Sequence, residues 1–213
     1  MLKLYYTPDT CALASHIALI EAGADYALER ISFKREEQRK PEYLKINPKS
    51  RVPALVAEEG VLTETPAILV YIAQKFPAKN LALMSEPFAF AEVQAFNSFL
   101  CSTMHIAHAH RMRGYRWADA ADTHAIEAMQ KKVPESVTAS FELIEKHMLK
   151  GPYVMGERFT ICDPYLFTLA QWLEADGADL AKLPRVLEFR ERMSQRPSVQ
   201  RALGEETKKA AAE

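Results

Sequence analysis

The 213-residue chain predicts an α/β domain followed by an all-α domain. Three observations lead there. Short β-branched and aromatic runs separated by turn residues are confined to the first third of the chain. Pro77 to Pro87, with proline at each end and little periodicity, reads as a linker. Beyond it the apolar spacing is helical, and only 7 residues are glycine, as in a helix-rich protein. The expected domains are residues 1–78 and 87–213, a length that allows each its own core.

Leu2 to Thr7 is a strand stopped by Pro8. From Cys11 a helix follows, with Leu13, Ile17 and Ile20 at helical spacing and Gly23 as its stop. Tyr26 to Phe33 is a second strand, and the mixed-sign stretch Lys34 to Lys40 a solvated loop. Turn chemistry at Asn47 to Ser50 leads into Val52 to Val56, which pairs with Val61 to Thr63 across Gly60 as a hairpin. Thr65 then caps a helix with Pro66 at its first position. This β-α-β, β-β-α order is that of a thioredoxin-like domain.

In the second part, Glu86 to Gly114 reads as one long helix, with Phe88, Val93, Phe96, Phe99 and Leu100 on its apolar side. Asp122 to Lys150 reads as another, kinked at Pro134. Thr160 to Asp163 is a capping-box variant, the threonine hydroxyl accepting from the Asp163 amide and the carboxylate from the Thr160 amide. Its helix runs to about Ala175, with Phe159 packing on Pro164 or Tyr165. Further helices follow at Arg185 to Gln195 and from Pro197, and the tail from Glu205 to Glu213 frays.

Net charge -1 gives no global field to recruit nucleic acid or an anionic membrane. The glycines offer no phosphate-cradling motif, which removes dehydrogenase and P-loop readings. Cys11, Cys101 and Cys162 form neither a CxxC pair nor a metal-ligand cluster, so no metal is expected and a reducing, cytoplasmic setting is. No apolar run approaches the roughly 18 residues of a membrane span.

Three constellations carry chemistry. Cys11 sits where a strand gives way to a helix, and free amides plus the positive helix end there favour a thiolate; the bland alternative is an inert buried thiol. Arg51-Val52-Pro53 is a place for a cis peptide exposing the Val52 backbone to an extended ligand, against a trans proline opening a strand. At Glu64-Thr65-Pro66 the Thr65 amide and hydroxyl suit a carboxylate and Glu64 an ammonium, together the two ends of a free amino acid; a plain helix cap is the alternative.

In this order, LYYTPDTCALASHIAL, INPKSRVPAL, TETPAILVYIAQKFP, GERFTICDPYLFTLAQW and RPSVQRAL resemble the glutathione transferases over nearly the whole chain, closely so for the bacterial beta class. The resemblance implies glutathione as co-substrate, bound through Tyr5, Arg51, Val52, Pro53, Glu64 and Thr65. It implies Cys11 beside the glutathione sulfur and His105 facing it from the first long helix, with His108 and His110 as packing or surface residues. For the glycyl carboxylate it leaves Lys34, Arg35 or Arg51. Ala12, Arg51 and Ile106 depart from the family pattern, which has serine, glutamine and lysine there.

The implied activity is conjugation of the glutathione thiolate to small hydrophobic electrophiles by a homodimer, with apolar helical side chains opposite Cys11. Thiol–disulfide exchange through Cys11 is a second possibility. A non-catalytic ligand- or partner-binding protein on the same fold is the alternative from a different class.

Overall fold

The computed structural model describes residues 1–211, with side chains described through Thr207. Its first part is a four-stranded sheet in the order β2-β1-β3-β4. Strand β1 is Leu2–Tyr6, β2 Tyr26–Arg30, β3 Ala54–Ala57 and β4 Gly60–Thr63. The β1–β2 pair is parallel, joined through helix α1 (Ala12–Ala22), while β3 runs antiparallel to β1 and to β4. Gly23 ends α1 at φ 67°, the left-handed position that glycine takes without a Cβ clash. A four-residue helix, α2 (Pro41–Leu44), follows the loop after β2, and α3 (Thr65–Lys75) follows β4. The domain is thioredoxin-like.

Alternation along β1 decides which face each side chain serves. Leu2, Leu4 and Tyr6 are buried; Lys3 and Tyr5 point the other way, and Tyr5 lies against Tyr43 of α2 with ring centroids 5.6 Å apart. Helix α1 is buried along nearly its whole length, because it packs on α3 and also on two helices of the second domain.

The second domain is all helical. Helix α4 is Pro87–Phe99, α5 His105–Arg113, α6 Thr123–Leu143, α7 Cys162–Ala170, α8 Pro184–Ser194 and α9 Pro197–Ala211. The two helices on α1 are α7 and α9. The expected single helix from Glu86 to Gly114 is interrupted by a π-helical turn at Leu100–Met104, immediately before His105. That wider turn rotates α5 relative to α4, and hydrophobic spacing does not encode it. Val93, Phe96 and Leu100 are buried, but Phe88 is 80% exposed. Five positions before Val93, it lies about 140° away around the helix. Helix α6 runs through Pro134, and its N-cap Asp122 accepts from the Ala125 amide at 2.9 Å.

Residues 77–87 join the two domains with Leu81, Ala82 and Leu83 buried, and the Leu81 carbonyl accepts the Ile161 amide at 2.8 Å. Helix α9 reaches Ala211 rather than fraying from Glu205, because Glu205 and Glu206 both bond the fully buried His16 of α1, at 3.0 and 3.1 Å. Residues 212 and 213 lie outside the described part. Among the described residues no helix is long and apolar enough to cross a membrane.

The capping box forms with one exchange of partners. Asp163 accepts the Thr160 amide at 2.6 Å as expected, but the Thr160 hydroxyl accepts from the Cys162 amide, at 3.3 Å, instead of from Asp163. Phe159 packs on Tyr153 and under Arg196.

Candidate active site

Between the N-terminal domain and a helical wall made by the π-helical turn, α5 and α7 lies a cleft of about 1030 Å³. Cys11, Arg51, Val52, Pro53, Glu64 and Thr65 line its N-terminal side, and His105 its helical side. Seven of the eight residues named from sequence therefore meet in one cavity. Tyr5 does not line it: strand alternation turns that ring to the opposite sheet face, against Tyr43.

The Cys11 thiol is buried and donates to the Val52 carbonyl at 3.6 Å. The expected activating amides are already used. Ala12 N–H donates to the Thr10 hydroxyl at 3.3 Å, and the Leu13 and Ala14 amides donate to the Thr10 and Cys11 carbonyls. Burial, only partly offset by the Thr65 hydroxyl, pushes the Cys11 thiol up to about 11. Cys11 is thus a neutral hydrogen-bond donor here, not the thiolate that its place at a helix start implies.

The Val52–Pro53 peptide is cis. The chain before it is held from behind, since the Arg51 carbonyl accepts from Tyr43 Oη at 2.7 Å and Asn47 Nδ2 at 2.6 Å. Tyr43 and Asn47 are buried, so the backbone at Arg51 and Val52 is presented by the core of its own domain. Neither residue announces this role in the sequence, because their shared acceptor is a backbone oxygen.

Glu64, not Thr65, occupies the N-cap position of α3, and Thr65 is its first residue. The Thr65 amide therefore has no intrahelical acceptor and faces the cleft end of the helix. Glu64 adopts φ 73°, ψ 122°, a conformation disfavoured for any residue with a Cβ and worth about 1–3 kcal/mol of strain. Its carboxylate pairs with Lys49 Nζ, which also donates to Thr63 Oγ1 at 2.6 Å. Lys49 is a site residue that sequence reading did not single out. Glycine at 64 is expected to melt about 2–12 °C above alanine at 64, since both lose the carboxylate but only alanine keeps the strain. Calorimetry on the pair checks this; alanine melting at or above glycine would remove the strain.

On the helical side, His105 Nδ1 lies 3.3 Å from the hydroxyl of Tyr165 on α7. Burial, followed by repulsion from His108, Arg116 and Arg51, lowers His105 to about 4, so its imidazole is neutral at pH 7. Burial raises the Tyr165 phenol far above its ordinary range, leaving it protonated. The phenol oxygen and Nδ1 share one hydrogen, and the ring tautomer decides which of them donates. His108 stacks on Trp172 at 4.0 Å and bonds the buried Asp176 at 2.8 Å, a packing role as expected.

Of the candidates for a terminal carboxylate, Arg51 lines the cleft and Lys34 and Arg35 do not. Beside the expected apolar side chains, the helical wall also carries arginines. Among the described residues no group of three His, Cys, Asp or Glu side chains is placed to hold a metal ion.

Comparison with known proteins gives the family. Residues 1–74 match the model of the glutathione S-transferase N-terminal domain, and residues 83–197 that of the C-terminal domain. The chain is 31% identical over 207 residues to glutathione S-transferase GstA of Escherichia coli O157:H7, covering 96% of this chain and 98% of that protein. Among solved structures it is similar to a glutathione transferase homolog from Sulfitobacter with bound glutathione, at 44% identity and TM-score 0.92, covering 96% of this chain and 98% of that one. It is also similar to the bacterial beta class glutathione S-transferase of Sphingomonas chungbukensis, at 31% identity and TM-score 0.82 with the same coverage. Both domains and nearly the whole length being matched, the chain belongs to the glutathione S-transferase family.

Proposed function

We propose that this protein binds glutathione along the edge of residues 1–78 and transfers its thiolate to an electrophile held against residues 87–213. The observation that carries this reading is the meeting of Cys11, Val52, Glu64 and Thr65 with His105 around a single cleft. The Thr65 amide and hydroxyl take the γ-glutamyl carboxylate, and Glu64 takes the α-ammonium in place of Lys49. The Val52 backbone pairs with the cysteinyl residue, and Arg51 meets the glycyl carboxylate. When glutathione claims the Val52 carbonyl, the Cys11 S–H is released to donate to the glutathione sulfur. The neutral His105 donates to that sulfur from Nε2, its ring oriented by Tyr165.

Lowering a thiol pKa from about 8.5 to about 6.5 raises the thiolate fraction at pH 7 from roughly 3% to roughly 75%. Ionisation therefore supplies only about 25-fold, and holding both reactants at attack distance supplies the larger share. A protonated, buried Cys11 argues for conjugation over thiol–disulfide exchange, which needs a thiolate at that position. Likeness to the Sphingomonas chungbukensis protein supports placement in the beta class, and we assign the protein to the cytoplasm as a homodimer.

Glutathione at about 100 times its Kd is expected to add about 2.7 kcal/mol, a rise of about 5–11 °C in Tm. Conjugation to 1-chloro-2,4-dinitrobenzene is then expected to survive in Cys11→Ala. No thermal shift and no turnover would remove the reading; disulfide reduction that disappears with Cys11 would replace it by exchange.

A further inference from the structure

We propose that the preferred electrophile is anionic, an aromatic carboxylate or similar oxyanion gripped by Arg113 and Arg116 at the helical wall of the cleft. This rests on the transferase reading above and names its acceptor class.

The first support is charge. Six Lys or Arg residues line the cleft against two Asp or Glu, in a protein whose net charge is -1. Three of the six are answered locally: Arg39 by Glu36 at 2.7 Å, Lys49 by Glu64, and Arg111 by the buried Asp176 at 3.1 Å. Arg51, Arg113 and Arg116 form no ion pair with a carboxylate among the described residues. Arg51 and Arg113 are close enough to Arg116 to disfavour its charge, after burial. Mutually repelling guanidinium groups around a cavity favour an anion entering it.

The second support is construction. Helix α5 ends at Arg113, and a 3₁₀ turn over Gly114–Arg116 turns the chain. Gly114 is buried so tightly that a Cβ there would meet Ile126 Cγ2 of α6 at 3.2 Å. This close packing fixes the turn that carries the two arginines. The Arg113 guanidinium lies 5.9 Å over the ring of Phe33, which reaches across from the N-terminal domain. The neighbouring Arg113 guanidinium, with a smaller contribution from Arg116, holds the Tyr115 phenol below its ordinary range. The third support is the surrounding surface. Tyr115 and Trp117 are 45% and 46% exposed at the cleft, and Trp117 is steadied edge-on by His110 at 4.6 Å. Flat aromatic faces beside unpaired arginines suit an aromatic ring bearing an anionic group. Arg116 lines the same cleft as Cys11 and His105, so the grip and the reacting sulfur share one cavity.

In the reaction the glutathione sulfur forms a bond to the ring carbon that carries chloride. The carbon–chlorine bond breaks, chloride leaves with its electron pair, and the thiol proton passes to solvent. The carboxylate takes no part in the bond changes.

The test compares 4-chloro-3,5-dinitrobenzoate with neutral 1-chloro-2,4-dinitrobenzene, each kcat/KM divided by the uncatalysed rate constant with free glutathione. The normalised ratio is expected to favour the anion. It is expected to fall about five- to tenfold in Arg116→Gln, to recover partly in Arg116→Lys, and to fall with added salt. A ratio unchanged in both Arg116→Gln and Arg113→Gln overturns the proposal. So does a rise in the KM for glutathione, shared by both electrophiles, without a change in the ratio, since the arginines would then serve glutathione. Turnover of the neutral compound alone sinks only this inference, whereas turnover of neither sinks the transferase reading with it.

Discussion

Replacing Asp163 with alanine is expected to lower Tm by about 10 °C. The side chain is fully buried at the start of α7. Its oxygens accept from the Val154 amide at 2.8 Å, the Thr160 amide at 2.6 Å and the Thr160 hydroxyl at 3.2 Å. Alanine leaves two buried amides without acceptors, each costing about 1–3 kcal/mol. A total near 3–5 kcal/mol, at about 2–4 °C per kcal/mol for a chain of this size, gives the stated fall. Because α7 packs on α1, the loss reaches the domain that carries Cys11.

The carboxyl also predicts a pH effect. Burial, opposed by its three donors, pushes Asp163 up to about 7. The folded state then binds this proton more tightly than the unfolded chain, whose Asp titrates near 3.9. Its contribution is full below about 4 and is lost as pH rises through about 7, so the gap between wild type and variant narrows from pH 5 to pH 8. Calorimetry across that range checks both statements, and a loss under about 1 kcal/mol at pH 5 would refute them.

His105→Ala is expected to lower kcat/KM for conjugation by about 10- to 100-fold, the value of a hydrogen bond to a charged sulfur. The loss is expected to be uniform from pH 5.5 to 8. An imidazole lowered to about 4 stays neutral throughout that window, so its own titration adds no limb to the profile. The rise with pH then belongs to the glutathione thiol. Tyr165→Phe, which removes only the hydroxyl orienting Nδ1, is expected to cost less and to leave the pH profile unmoved. Initial rates against pH for the three proteins decide the matter: unchanged kcat/KM in His105→Ala would remove the residue from the mechanism, and a new limb would assign it proton transfer.

Much of the site was legible in one dimension because its parts are local. Val52-Pro53 and Glu64-Thr65-Pro66 each combine a turn or helix start with the groups it exposes, and turn and capping residues located those starts. Lys49, Tyr43, Asn47 and Tyr165 were not legible. Each acts through a backbone oxygen or a side chain distant in sequence, and carries no motif. Tyr5 shows the reverse error, since motif proximity to Cys11 is overruled by the two-residue alternation of a strand. Glu205 and Glu206, read as a fraying tail, are held by His16 about 190 positions earlier.

By itself the sequence determined the order of elements, the division into an α/β and a helical part, and the residues that face one another at each local turn. These follow from short-range sterics, capping and the burial of periodic apolar faces. Only the tertiary structure decided that Cys11 is a neutral donor and His105 a neutral imidazole, and that two arginines stand unpaired beside them. Protonation and charge balance depend on desolvation and on neighbours brought in by other elements, and neither quantity exists until the domains are packed together.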